Sequence, residues 1–67
     1  MTNLEAAKHF NTQLQIAKEN DAIVPEEYIR DIYKRFTTAY SGLICELIDK
    51  GLNTIDAANE ARSLLAK

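Results

Sequence analysis

Apolar residues along the chain recur at steps of three and four, and no stretch alternates as a strand would. Leu4, Ala7, Phe10, Leu14 and Ala17 trace the first such stripe, with Ile16 on its flank. Lys8, Asn11, Thr12, Gln15 and Glu19 occupy the other side, which makes this an amphipathic helix from Thr2 to Glu19. Thr2 and Glu5 stand at capping-box spacing, the signal for its start.

Asn20 to Val24 interrupt the pattern. Pro25 suits the first position of a new helix, where its missing N–H costs nothing. Glu26 and Glu27 follow in the first turn, where negative charge complements the helix dipole. Counting from Pro25, Ile23 and Tyr28 are placed to form a hydrophobic staple. The longest stripe comes next: Ile29, Ile32, Tyr33, Phe36, Ala39, Tyr40, Leu43 and Leu47 hold one face, predicting a helix from Pro25 to Lys50. Glu26 with Arg30, Asp31 with Arg35 and Glu46 with Lys50 are spaced to pair on its outer side. Gly51 ends it as the residue that adopts positive φ most easily. Asn53 and Asp56 repeat the capping spacing, and Ile55, Ala58, Ala61 or Arg62, and Leu65 mark a third helix over Thr54–Ala66. The fold class expected is all-α: a single domain over 1–67, with three helices near 2–19, 25–50 and 54–66 and the central one longest. Phe10, Leu14, Ile29, Ile32, Phe36, Tyr40, Leu43 and Leu47 are its expected core.

Length then changes the picture. A domain of 67 residues buries about 60% of the surface that its unfolded chain exposes, so its own core is marginal. Small domains add disulfides, a metal or a partner subunit. One cysteine, Cys45, excludes an internal disulfide, and one histidine, His9, excludes an ordinary zinc cluster. Burial against a partner is the remaining device. The formal charge of −2, with both signs interspersed, lacks the basic excess that nucleic-acid modules use. No apolar run is long enough for a membrane span, and the N-terminal MTNLEAAKHF does not read as a secretory leader. With a lone free cysteine, these features place the expected protein in the cytoplasm, the host cytoplasm if phage-encoded.

Chemistry is sparse. His9 has Glu5 one turn before it and Gln13 one turn after, but no second histidine or cysteine at ligand spacing. Cys45 lies late in a helix between Ile44 and Glu46, a setting that opposes a thiolate and suits a small buried apolar residue. Glu26, Glu27 and Asp31 read as solvated residues of a helix start. Arg30, Lys34 and Arg35 could meet phosphate, but Glu27 and Asp31 lie within a turn of them. The expectation is therefore a protein with no catalytic residue, no cofactor and no metal.

The most informative pattern is a strip of small residues on the long helix: Thr38, Ser41, Gly42 and Cys45. A glycine within a helix costs about 0.5–1 kcal/mol relative to alanine, so a close approach is expected to offset it. That approach comes either from another molecule or from a helix of the same chain. In the first case the strip, with Tyr28, Leu43 and Ile48, forms a protein interface. Replacing Gly42 by Leu would then raise helicity and weaken association.

The run LQIAKENDAIV from Leu14, followed by PEEYIRDIYKRFTTAYSGLICELIDKGL, resembles a segment of lambdoid-type phage terminase small subunits. In that family a helix ends in a short turn of the form E-x-x-x-V/I-V-P, and a long helix with acidic first residues follows. Here Lys18–Glu19 to Glu27 carries the turn, and Ile29 to Leu47 the helix. The resemblance covers over half of the chain and implies subunit assembly in DNA packaging. That family sets a helix-turn-helix DNA-binding domain ahead of this segment. The residues preceding the match supply none, so direct nucleic-acid recognition is not expected. The chain is also similar to small bacterial nucleoid-associated modulators of the haemolysin-expression type, which act through a DNA-binding partner, although Thr2–Glu19 departs from their N-terminal pattern. Together these readings predict a non-catalytic interaction or assembly module, bound to itself as a dimer or larger oligomer or to another protein. The alternative is a small regulator or inhibitor that docks on a host protein.

Overall fold

The computed structural model describes residues 2–66. It is all-α, with α1 over Asn3–Glu19, α2 over Glu26–Asp49 and α3 over Thr54–Leu65, and no strand among the described residues. The element order and lengths follow the sequence pattern to within a residue or two at each end.

Local chemistry fixes most of the ends. Thr2 caps α1: its hydroxyl accepts from the Glu5 N–H at 3.1 Å and donates to the Glu5 carboxylate at 3.1 Å. Asn53 caps α3 in the same way, accepting from the Asp56 N–H at 2.8 Å while its amide donates to the Asp56 carboxylate. At the end of α2 the Gly51 N–H donates to the Ile48 carbonyl and the Leu52 N–H to the Leu47 carbonyl. This pair of bonds is a Schellman motif, and Gly51 supplies the φ of +107° that it requires. Leu52 completes it by packing on the cluster that contains Leu47.

The start of α2 lies one residue later than the sequence suggests. Pro25, at φ −58° and ψ 140°, is the capping residue, and its carbonyl accepts from Tyr28 and Ile29. The staple therefore moves by one as well. Ile23 is 81% exposed and Tyr28 51% exposed, while Val24 and Ile29 both pack on the cluster of Leu14, Ala17 and Ile32. Two of the three expected ion pairs form, Arg30–Glu26 at 3.0 Å and Arg35–Asp31 at 3.1 Å. Glu46 instead accepts from the Asn3 amide at 2.7 Å, and no Glu46–Lys50 pair forms among the described residues.

α1 and α2 form an antiparallel hairpin, and α3 folds back against the C-terminal half of α2. One cluster gathers Leu14, Ala17 and Ile32 between α1 and the first half of α2. The other joins Leu43 and Leu47 of α2 to Ala57 and Ala61 of α3, with Leu4, Tyr40, Ile44 and Leu52 against it. The Tyr40 hydroxyl reaches the Ala58 carbonyl at 3.4 Å.

The core is smaller in side-chain size than the sequence suggests. Ala7, Ala17, Ala39, Ala57 and Ala61 are five of its nine buried apolar residues, and no large side chain among those described is completely buried. Leu14, Ile32, Leu43 and Leu47 are buried as expected. Phe10, Ile29, Phe36 and Tyr40 are only half-buried, because the alanines bring the helices close and the larger rings sit at the margins. In α3 the buried pair is Ala57 and Ala61, which turns Ile55 and Arg62 outward.

Candidate interaction surface

The strip on α2 divides between two surroundings. Thr38, Ser41 and Cys45 are exposed along one edge of the helix, with Ile48 39% exposed beside them, and Thr38 also lines a groove against Asn3, Ala6 and Phe10 of α1. The Thr38 hydroxyl donates back to the Lys34 carbonyl at 3.0 Å, which satisfies it locally. Cys45 is exposed rather than buried, a correction to the sequence expectation: its helical phase places it outside the α1 and α3 contacts.

Gly42 and Leu43 do not belong to an open surface. A Cβ on Gly42 would lie 2.6 Å from Asn3 Nδ2 and 2.9 Å from Asn3 Cγ. The close approach at this glycine comes from the first turn of α1 in the same chain. Leu43 is 4% exposed and packs with Leu47, Ala57 and Ala61. Tyr28 lies apart from the strip. It borders a shallow groove with His9, Phe10, Gln13, Asp31 and Arg35, between α1 and the start of α2. The structure thus leaves Thr38, Ser41, Cys45 and Ile48 together, moves Tyr28 elsewhere, and assigns Gly42 and Leu43 to contacts within the chain.

The other sequence candidates stand apart. His9 is exposed and meets Phe10 edge-on at 5.2 Å between ring centroids. Arg30 and Arg35 are committed to acids on their own helix. Among the described residues no three His, Cys, Asp or Glu side chains converge as metal ligands, and no described helix is long and apolar enough to cross a membrane.

Sequence reasoning missed a cleft where all three helices meet. It has a volume of about 680 Å³ and is open to solvent. Phe36 and Tyr40, stacked at 5.6 Å, form an apolar wall, and Leu65 closes one end. Asn11, Thr12 and Gln15 of α1 face them, and Arg62 brings a cation to the rim. The available signal was the length difference between α3 and α2, which leaves part of the hairpin without a third layer. A 12-residue helix spans about 18 Å and the 24-residue α2 about 36 Å.

No protein-family model, curated protein or solved structure matches the chain.

Proposed function

We propose that the protein is a non-catalytic helical module that acts by burying its outer apolar side chains against another protein, in the first place a second copy of itself. The observation that carries this reading is the inversion of side-chain size between inside and outside. Alanine supplies five of nine buried apolar residues, while Ile16, Ile23, Tyr28, Tyr33, Ile48 and Ile55 are 39–81% exposed. Burying one such side chain completely contributes about 1.5–3 kcal/mol, so a partner that covers several of them gains a substantial free energy.

Molecular shape supports the same reading. The accessible surface is 4871 Å², against about 4300 Å² for a compact monomer of 7.6 kDa. The radius of gyration is 13.0 Å, where a compact chain of this length has about 11 Å. The likeness to terminase small subunits gives assembly a context, as a piece of phage or mobile-element machinery. Docking on a host protein is the second reading, and the cleft favours it: Phe36 and Tyr40 offer an apolar wall opposite the polar Asn11, Thr12 and Gln15, with the Arg62 cation at the rim.

Light scattering on the full chain tests the proposal. A mass above 7.6 kDa that grows with concentration is the expected result. A monomer at every concentration that also recovers no protein partner from its native host contradicts it.

A further inference from the structure

The cleft at the junction of the three helices has two walls of different chemistry. α1 and α2 are neighbours in the hairpin, so the walls diverge from a common seam. Phe36 and Tyr40 form the α2 wall, their rings stacked with 26° between their planes. The Tyr40 hydroxyl reaches the Ala58 carbonyl, which ties that ring to α3. Both rings stay half-buried with α3 in place, and the surface they keep lines the cleft. Asn11, Thr12 and Gln15 form the α1 wall. The Thr12 hydroxyl donates to the Lys8 carbonyl, whereas the Asn11 and Gln15 amides have no partner within the chain among the described residues. Arg62 is the one charged side chain in the lining, and it forms no ion pair among the described residues. It stands three residues before Leu65, which closes one end.

We propose that this cleft takes a short extended segment of a partner protein, with two apolar side chains at alternate positions and a carboxylate next to one of them. The proposal rests on the protein-binding reading above, in its docking form, and gives the partner its chemistry. Spacing argues for an extended chain. Asn11 and Gln15 are four residues apart, as are Phe36 and Tyr40, which is about 6 Å along each helix. A strand repeats both its side-chain direction and its free backbone edge every two residues, about 6.6 Å. A strand laid along the seam therefore turns one edge to α1 and alternate side chains to α2. Each amide carries a donor and an acceptor, which match the N–H and C=O that the edge presents at every second residue. Apolar side chains at alternate positions then rest on Phe36 and Tyr40.

Charge supplies the remaining feature. The Arg62 guanidinium at the closed end selects a carboxylate and discriminates against a cation there. Size agrees: about 680 Å³ lies within the roughly 300–1,000 Å³ of ligand sites, room for a short segment and not for a folded domain. Binding needs no displacement of α3, because the rings already face the cleft beside it.

Nitrogen-15 NMR of the full chain, titrated with the peptide acetyl-Glu-Leu-Ser-Leu-Glu-amide, tests the proposal. Its two outer carboxylates allow either chain direction to reach Arg62. The side-chain N–H signals of Asn11, Gln15 and Arg62 should shift, while the backbone amide of Cys45, outside the cleft, should not. Asn11→Ala with Gln15→Ala raises helix propensity, so circular dichroism should show the fold retained while binding weakens by about fivefold or more. Arg62→Glu should exchange the preference from this peptide to its analogue with lysine at both ends. The proposal is overturned if none of the three side chains shifts at about 10 mM peptide, a concentration that fills even weak sites. Equal affinity of the wild type for the glutamate and lysine peptides also overturns it. So does equal affinity for phenylpropanoate, which would make the cleft a small-molecule site. The protein-binding reading outlasts each of these results and fails separately, when a monomeric wild type also recovers no other protein.

Discussion

The two glycines of the chain serve opposite purposes. Gly51 has open space around it and a φ of +107°, so its side chain is excluded by backbone conformation alone. Gly51→Ala should destabilise the fold by about 1–2 kcal/mol in thermal or denaturant melts, the cost of forcing a Cβ into left-handed backbone. Gly42 has ordinary helical backbone and is excluded by its neighbour, Asn3. Gly42→Ala gains about 1 kcal/mol of helix propensity but displaces Asn3 from its hydrogen bond to Glu46, worth about 0.5–1.5 kcal/mol, so the single change should be close to neutral. In an Asn3→Ala background that conflict is gone, and Gly42→Ala should stabilise by about 0.5–1 kcal/mol. Equal effects of Gly42→Ala in both backgrounds would show that Asn3 is not what holds this glycine in place. For the same reason Gly42→Leu disturbs the docking of α1 within the chain and does not report on association.

At the scale of the elements, what the sequence made legible was local. Thr2 with Glu5 and Asn53 with Asp56 are three residues apart, and each cap depends on nothing beyond its own turn. The Gly51 terminus and the long α2 stripe are local in the same sense. The start of α2 misled by one residue because Pro25 fits both the cap and the first helical position, and only the packing of Val24 and Ile29 decides between them. The contact of Asn3 with Gly42 and Glu46 joins residues some forty positions apart, and no local pattern encodes it. Core order was also hidden. Helical periodicity marks a face but not which member of it is most enclosed, and here alanines take the centre while Phe36 stays at the edge. Leu14→Ala should therefore cost about 2–4 kcal/mol, whereas Phe36→Ala should cost about 1–2 rather than the 3–5 of a ring in a complete pocket. Denaturant melts of the two variants check the order, and a reversal would place Phe36 in the core.

At the scale of the whole molecule, the chain measures 43 × 21 × 19 Å, an elongated hairpin whose third helix covers half of one side. Six of its large apolar side chains lie where a partner could reach them, and its own core combines Leu14, Ile32, Leu43 and Leu47 with close helix approach through alanine. Stability and association are then coupled, since whatever binds the folded chain alone raises its melting point by mass action. The most direct measurement is the thermal unfolding midpoint of the wild type at chain concentrations from about 1 µM to about 1 mM, the span over which modest interfaces fill. Self-association through the exposed apolar surface predicts a midpoint that rises by about 3 °C or more for each tenfold increase in concentration. A midpoint that stays constant across the whole span would contradict it.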